Sequence, residues 1–449
     1  MMRNRPNILW LMTDQQSFNM LSCTGNKYVQ TPNLDKLAEH AVRFDNAYCT
    51  NPVCLPSRFS LFTGLYPGDI GIRSNTYKKE SEGVPQKVLN NGLGKLFCDQ
   101  GYKAVYGGKE HLPFMNAQGL GFEYFCEDDR DLLAETCAQY LKGYDWEAPL
   151  FMVASFINPH DICFMAIADG KVGLCLPGGK MEESWQENFV TEIETLKDAQ
   201  KIPEGITEEE FYKNICPPLP DNYLPAPDEP EAIDILQTQR MFKKIARQNY
   251  SDERWRLHRW AYAELTKKVD AQIGKVLQAL KESGKWDNTI IIFTSDHGDM
   301  DASHKMEHKV VLYEEACHVP LMIKGVGQKN GWINKQIVSN GLDIIKTVLD
   351  YGNIAAPDYM RGKSLRAAVE CRAMDKLHDA IVIECENGIG AVNDRYKYAL
   401  YNCGVRNEQF YDLKINHGEM YNQISEECYT EEVEKFRRII ADHIHNRPF

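Results

Sequence analysis

Two acidic residues in this sequence stand where a buried strand would end. Asp14 follows the apolar run NILWLM by one residue, and Asp296 follows the run TIIIFTS directly. Side chains at the carboxyl ends of parallel strands gather at one edge of a sheet. Carboxylate oxygens are the ligands that hard divalent cations prefer. The spacing therefore predicts a metal site, although either aspartate could instead cap the turn that follows it.

Other residues with catalytic potential follow further apolar runs. Lys109 and His111 lie in GGKEHL, His160 lies in INPHD, and Lys309 lies in the stretch HKMEHKVVLYEEACHVPL. The glycine pair allows the backbone to approach an anion closely. Taken singly, His160 is typical of a buried core histidine and Lys309 of a solvated lysine. Their order along the chain carries more weight than any one of them.

Cys54 lies in the segment NPVCLPSRFSLFTG, which is rich in small and apolar residues, and two interpretations of it are open. The simple interpretation is a buried structural cysteine at the start of a helix. The alternative makes Cys54 the centre of the protein's chemistry.

The elements that must position these residues are predicted by hydrophobic periodicity. Buried strands are predicted for NILWLM, GYKAVYG, LFMVASFI and TIIIFTSD, and helices for the segment from Thr31 through Val42 and for residues 253–284. Strands that alternate with helices indicate an α/β fold, with a large, mostly parallel sheet flanked by helices.

The chain divides into two predicted parts. Residues 1–355 form the α/β domain, with an insertion at about 161–250 that includes the proline-rich stretch CPPLPDNYLPAPDEP. Residues 356–449 form a smaller antiparallel sheet plus a helix, from the strand-like segments AIVIECEN, RYKYALYN and EQFYDL and from EEVEKFRRIIADHI. The insertion and the smaller domain are expected to line the substrate side of the site.

Composition excludes several classes of protein. The 449 residues are 43% hydrophobic with a formal net charge of -13, which argues against nucleic acid as a partner. The sequence contains no apolar span long enough to cross a bilayer. The first apolar run is too short for a signal peptide, so a cytoplasmic protein is expected, with a removed leader as the alternative. The 14 cysteines form no CxxC pair, which favours reduced thiols.

The motifs taken together resemble the type I, formylglycine-dependent sulfatases of the alkaline phosphatase superfamily over nearly the whole chain. The core signature C-x-P-S/T-R followed by T-G is matched from Cys54 through Gly64, and the second signature, GY…GKxH, from Gly101 through His111. TDQQ, NPH, SDHG, the lysine before YEE and VPL, and YDL…GEMYN complete the match. In this family a maturation enzyme oxidises the cysteine to formylglycine before folding.

The resemblance implies a role for each matched residue. The catalytic residues would be Cys54, Arg58, Lys109, His111, His160 and Lys309, and the metal ligands would be Asp14, Gln15, Cys54, Asp296 and His297. Hydrated formylglycine would offer one hydroxyl to attack sulfur and a second to expel sulfate. Arg58 would hold the formylglycine, the two lysines would grip the sulfate oxygens, His111 would assist deprotonation, and His160 would protonate the leaving alkoxide.

Three departures from the family pattern keep alternatives open. Gln15 stands where many sulfatases have a second aspartate, His297 where many have asparagine, and Leu55 where a small residue is usual. Calcium is the expected single divalent ion, with magnesium or manganese as alternatives. The same Asp-Gln and Asp-His pairs occur in phosphonate monoester hydrolases, which makes phosphonate or phosphodiester cleavage the first rival.

The expected substrate is a carbohydrate or other small sulfate ester. A third interpretation, an inactive homologue that binds sulfated glycans, fits poorly with the retention of Cys54, both lysines and both histidines. A homo-oligomer is possible. The sequence does not identify the alcohol half of the substrate.

Overall fold

The computed structural model describes residues 5–76, 83–169, 189–372 and 375–448. Part of the predicted insertion, residues 170–188, therefore lies outside the described residues. Two β-sheets organise the chain, one large and mixed and one small and antiparallel.

The large sheet has eight strands in the order β4-β3-β5-β1-β6-β7-β2-β8. Its strands are β1 (Asn7–Asp14), β2 (Val42–Tyr48), β3 (Lys103–Gly108), β4 (Glu123–Cys126), β5 (Leu150–Pro159), β6 (Thr289–Ser295), β7 (Leu321–Lys324) and β8 (Trp332–Ser339). Only β7 runs antiparallel to its neighbours β6 and β2. The predicted mostly parallel sheet is thus confirmed. Strand β1 is buried at every position, as expected for a sheet covered on both faces.

Helices cover this sheet and line its edges. The α-helices in the described residues are α1 (Pro32–Ala38), α2 (Cys54–Thr63), α3 (Gln86–Asn90), α4 (Leu93–Cys98), α5 (Leu133–Gly143), α6 (Phe164–Asp169), α7 (Val190–Ala199), α8 (Glu208–Glu210), α9 (Glu231–Thr238), α10 (Met241–Asn249), α11 (Asp252–Glu282), α12 (Glu314–Cys317), α13 (Asn340–Tyr351), α14 (Arg366–Glu370) and α15 (Thr430–His445). The long predicted helix at 253–284 is α11, which begins after Ser251, whose side chain caps the backbone N–H of Arg254.

One predicted helix is too long. The pattern that starts at Thr31 was expected to continue through Val42, but α1 ends at Ala38 and Val42 begins β2. Val42 pairs with both β7 and β8, so tertiary strand pairing overrides the local helical spacing.

The order of the central strands decides where the site forms. Strands β3, β5, β1 and β6 are adjacent and mutually parallel. Their carboxyl ends therefore meet at one edge, and each leads into or contains a predicted site residue: Lys109 after β3, His160 after β5, Asp14 at the end of β1, and Asp296 after β6.

The smaller sheet has the order β12-β11-β10-β9 and is antiparallel throughout. Its strands are β9 (Ile381–Cys385), β10 (Gly388–Val392), β11 (Tyr396–Tyr401) and β12 (Glu408–Asp412). Three of them were predicted, whereas β10 was missed because its sequence, GIGAV, is short and rich in glycine. Helix α15 covers this sheet through Val433, Phe436 and Ile440. The predicted antiparallel sheet with its helix is confirmed.

A buried lysine links the small sheet to helix α12. Lys397 of β11 lies 3.0 Å from carboxylate oxygens of both Glu314 in α12 and Glu419. A buried ammonium between two carboxylates ties the small sheet to the loop region that also carries Lys309.

None of the described helices combines the length and the apolar character needed to cross a bilayer. The cysteines of the described residues are all free thiols, as the sequence predicts.

Candidate active site

Cys54 is the first residue of α2 and is 1% exposed. Its sulfur lies 3.1 Å from Nε2 of His297 and 3.6 Å from Oδ1 of Asp14. Burial raises the pKa of the thiol, but Lys309, Lys109 and His297 lower it more, so the net pKa lies well below the ordinary value. A cysteine in such an electropositive setting is unlike an inert core cysteine.

Four buried side chains form a candidate metal cluster. One ligand atom from each of Asp14, Cys54, Asp296 and His297 lies within 4.8 Å of the others. Nδ1 of His297 is 2.9 Å from the carbonyl of Gly298, which can only accept a hydrogen bond, so Nδ1 is the donor. Burial lowers the pKa of His297, but Asp296 and Cys54 raise it above its ordinary value, so a cation at the cluster would replace a proton on Nε2.

Arg58 holds the carboxylates of Asp14 and Asp296 in place. Its guanidinium donates to Oδ2 of Asp296 at 2.7 Å and to Oδ2 of Asp14 at 3.2 Å. It also donates to Oγ of Ser155 at 2.8 Å and to the carbonyl of Lys109 at 2.9 Å. Arg58 is fully buried, and the planar fork of its donors suits two carboxylates at once.

The charge around Asp14 explains its ionisation. Burial and the neighbouring Cys54 raise the pKa of Asp14, but Lys109, His160 and Arg58 lower it to a net value below the ordinary range. The opposite holds for Asp296, whose pKa is raised by burial and by the Asp14 carboxylate. Two carboxylates with such mutual repulsion form a site that a cation would stabilise.

The two predicted anion-binding lysines, Lys109 and Lys309, both lie near Cys54. Lys109 forms an ion pair with Asp14, and Lys309 donates a hydrogen bond to the side-chain oxygen of Gln15. Lys309 is buried and Lys109 is partly buried, and nearby acidic groups raise the pKa of each against the opposing effect of burial. Both therefore carry a full positive charge beside Cys54.

The side chain of Gln15, a predicted metal ligand, already forms hydrogen bonds with other protein groups. Its side-chain oxygen accepts from Lys309 and from Sγ of Cys163 at 3.0 Å, and its amide nitrogen donates to Asp299 at 2.6 Å. Its backbone, at φ 68°, donates to Oδ1 of Asp296 at 3.1 Å. The role of Gln15 as a metal ligand stays a prediction.

The two predicted proton-transfer histidines also reach Cys54. Hydrogen bonding from His111 lowers the pKa of Cys54, and hydrogen bonding to Cys54 raises that of His160. Burial, Lys109 and Lys309 outweigh this contribution and lower the pKa of His160 to about 4. At neutral pH, without an anion present, His160 is neutral.

A pocket of about 380 Å³ is lined in part by these two histidines. This volume is in the range of small-molecule sites. Its wall includes His111, His160 and Lys309 from the predicted set. It is completed by residues that sequence reasoning did not single out, namely Val53, Ser74, Asn75, Cys163, Phe164, Ile167, Phe189, Arg240, Phe242, Lys243, His308, Val310 and Glu386.

The structure thus brings the predicted catalytic residues around Cys54. Sequence reasoning missed Ser155 and Cys163, which position Arg58 and Gln15. It also missed Asp299, although that residue directly follows the matched motif SDHG. A serine or cysteine within an apolar run gives no sequence signal of function, because its role becomes visible only from the residues that it contacts in the folded chain.

Comparisons with known proteins identify the family of the chain. The sulfatase family model matches residues 6–354, and the model described as "N-sulphoglucosamine sulphohydrolase, C-terminal" matches residues 302–446. A Δ4,5-hexuronate-2-O-sulfatase of Bacteroides thetaiotaomicron is 28% identical, with 98% of this chain and 89% of that protein covered.

Solved structures of similar proteins share the fold. A 2-O GAG sulfatase superimposes with a TM-score of 0.77 at 26% identity, covering 99% of this chain and 92% of that one. The phosphonate monoester hydrolase of Agrobacterium radiobacter is alike in fold only, with a TM-score of 0.72 at 20% identity and 99% and 97% coverage. With the family model spanning most of its length and the family's residues gathered at one strand edge, this chain belongs to the sulfatase family of the alkaline phosphatase superfamily and is a sulfuric ester hydrolase.

Proposed function

We propose that this enzyme hydrolyses sulfate esters of carbohydrates through a formylglycine derived from Cys54 and one divalent metal ion. The observation that carries the proposal is the position of Cys54. It begins α2, lies within 4.8 Å of two carboxylates and an imidazole, and faces the positive charges of Lys109 and Lys309. A negatively charged ester suits that balance of charge.

The residues present fit a divalent cation. Asp14, Asp296 and His297 would hold it together with the oxygen that replaces the sulfur of residue 54 after maturation, and Gln15 would join if its amide turned away from Lys309. When bound, the ion would act as a Lewis acid that lowers the pKa of a coordinated hydroxyl. The carboxylate donors favour calcium, with magnesium or manganese as alternatives.

The remaining basic groups would hold the reacting ester. Arg58 fixes the orientation of Asp14 and Asp296, and so keeps the nucleophile aligned. Lys109 and Lys309 would turn from Asp14 and Gln15 toward the sulfate oxygens. Fixed positive charges at these oxygens stabilise the transition state without reorganisation during reaction.

The two histidines would move the protons. His111 would accept a proton from the hydrated formylglycine, whose second hydroxyl allows sulfate to be expelled with recovery of the aldehyde. His160 would donate a proton to the leaving alkoxide. The pKa of His160, about 4 without substrate, fits this role only once a sulfate anion offsets the charge of the two lysines.

Phosphonate monoester or phosphodiester cleavage is the second candidate, supported by the Asp-Gln and Asp-His pairs and by the shared fold of the phosphonate monoester hydrolase. The ratio of kcat/KM for 4-nitrophenyl sulfate to that for a phenyl phosphonate monoester separates the two. An inactive glycan-binding homologue is the least supported, because a binder has no use for a modified nucleophile.

The decisive experiment joins mass spectrometry with kinetics. The peptide that contains Cys54, from protein produced with a formylglycine-generating enzyme, should carry the aldehyde, and the protein should release sulfate from a panel of sugar sulfates. Cys54→Ala should abolish turnover. Ala is small enough to keep the helix start intact, so a folded, inactive variant is expected. Full turnover by Cys54→Ala would overturn the proposal.

Several further expectations stay predictions. They are the domain boundary at residue 355, the maturation enzyme as a partner, a homo-oligomer, and a cytoplasmic location.

A further inference from the structure

Lys243 in α10 is the most unusual charge in the pocket wall. Its side chain is 3% exposed, and its ammonium donates to the carbonyl of Lys309 at 3.1 Å. Within the described part of the chain it forms no ion pair. Buried ammonium groups are ordinarily paired with a carboxylate, because leaving one unpaired carries a large desolvation penalty.

The surroundings of Lys243 add to this excess of positive charge. Its strongest charged neighbour is Arg240, an exposed residue at the start of the same helix, and Lys309 also contributes repulsion. Burial, which is the largest cause, and the charges of Arg240 and Lys309 together outweigh the opposing effects of Cys163 and Asp299 and lower the pKa of Lys243 to about 7. Among the described residues that line the pocket, Glu386 is the one acid. A negatively charged group placed between Lys243 and Arg240 would relieve this repulsion.

This basic pair is separate from the groups that would hold the scissile sulfate. Lys109 and Lys309 act directly on Cys54, whereas the strongest charge acting on Lys243 is Arg240. Lys243 and Arg240 line the same pocket as Lys309, and its wall also includes the apolar side chains of Phe164 and Phe242. Aromatic and aliphatic surface suits the carbon skeleton of a sugar ring, with a charged group at each end.

Resting on the proposed function, we infer that Lys243 and Arg240 form a second anion subsite that selects sulfate esters whose alcohol half bears another negative group, a carboxylate or a second sulfate. The substrate class is therefore an acidic sugar sulfate. The enzyme would bind such a dianion at both ends, with the scissile sulfate at Cys54 and the other group at α10.

The test measures affinity in matched pairs of ligands that differ by one charge. Glucuronate 2-sulfate is compared with glucose 2-sulfate for the carboxylate, and glucosamine N,6-disulfate with N-acetylglucosamine 6-sulfate for the second sulfate. Isothermal titration uses the full chain as Cys54→Ala, so that no ligand is consumed. Metal and ionic strength are held constant, because exposed charge pairs are screened by salt.

The dianionic member of at least one pair is expected to bind at least tenfold more tightly. In the Lys243→Met and Arg240→Gln backgrounds this ratio should fall below threefold. Lys244→Gln is the matched control, since Lys244 is an exposed lysine on the same helix, and it should keep the ratio. Which pair shows the preference distinguishes the carboxylate from the sulfate.

Three results would overturn the inference. One is equal affinity for both members of both pairs in the unmodified α10 background. Another is an equal loss of affinity for both ligands of a pair in the Lys243→Met variant, which would mean that this lysine binds the scissile sulfate. The third is retention of the ratio in both Lys243→Met and Arg240→Gln. Failure of the proposed function appears elsewhere, as absence of sulfate release by the mature enzyme carrying formylglycine at position 54.

Discussion

Replacing Lys243 with methionine should make the protein more stable at mildly acidic pH, although it removes a hydrogen bond. The ammonium of Lys243 is buried without an acidic partner among the described residues, and its pKa falls from 10.5 to about 7. A lysine whose folded-state pKa is lowered destabilises the folded protein fully at pH below that value. The penalty fades as the pH rises from the folded toward the unfolded pKa.

The magnitude follows from these two pKa values. Each pH unit between them corresponds to about 1.4 kcal/mol, so at pH 6 the buried charge costs at most about 5 kcal/mol. Methionine has a similar length and no charge, and it removes this cost. It also leaves the Lys309 carbonyl without its 3.1 Å donor, which costs about 1–3 kcal/mol. The net expectation at pH 6 is a gain of about 2–4 kcal/mol in the free energy of unfolding.

Urea unfolding followed by tryptophan fluorescence at pH 6 and pH 10 provides the measurement. At pH 10 most of the penalty has gone from the wild-type protein, so Lys243→Met should no longer be the more stable form. Lys244→Met, a change at an exposed position, should alter stability by less than about 0.5 kcal/mol at either pH. If Lys243→Met is destabilised equally at both pH values, the ammonium is already paired or solvated and the reasoning is refuted.

Three other perturbations follow from the buried charges. Arg58→Met leaves Asp296 without its arginine partner and Asp14 paired with Lys109 alone, so it should lower the free energy of unfolding by about 3–5 kcal/mol in urea titrations, and a loss below about 1 kcal/mol would contradict the assigned pairing. Lys397→Met should cost a similar amount, about 3–5 kcal/mol, because it leaves the buried Glu419 and the partly buried Glu314 without the ammonium between them. In thermal unfolding, the loss of stability caused by Lys397→Met should be smaller at pH 5 than at pH 8, because the unpaired glutamates take up protons at the lower pH. A loss of stability that does not depend on pH would argue against this charge cluster. Calcium at a hundredfold excess over its Kd should raise stability by about 2.7 kcal/mol relative to chelator-treated protein. Asp296→Asn should reduce that gain, and an unchanged response would place the ion elsewhere.

The sequence was a good guide to the strands that carry the site. Runs such as NILWLM and TIIIFTS are continuously apolar through their middle, at ILWLM and IIIF, which favours inner strands, and the residues after them fall at one edge of a parallel sheet. The pattern C-x-P-S-R likewise placed Cys54 at a helix start, which the structure confirms. Local patterns predict local structure because each depends on a few neighbouring residues.

Longer-range relations could not be predicted in this way. Val42 has helical spacing in the sequence but becomes a strand residue through pairing with β7 and β8. Gln15 matches the position of a metal ligand, yet Lys309 and Cys163, far along the chain, engage its side-chain oxygen. Secondary-structure propensity and residue spacing depend on nearby sequence, so they cannot predict contacts between distant segments of the chain.

What the sequence determined by itself is the chemistry: a cysteine in a modification context, strand-end acids, and lysines and histidines in the order of a sulfatase. What only the tertiary structure decided is the balance of charge in the pocket. Arg58 and Asp296 are 238 residues apart, and Lys243 and Lys309 are 66 apart. Burial and charge pairing are properties of neighbours in space, so a cation such as Lys243 is ordinary in the sequence and exceptional only once the chain has enclosed it.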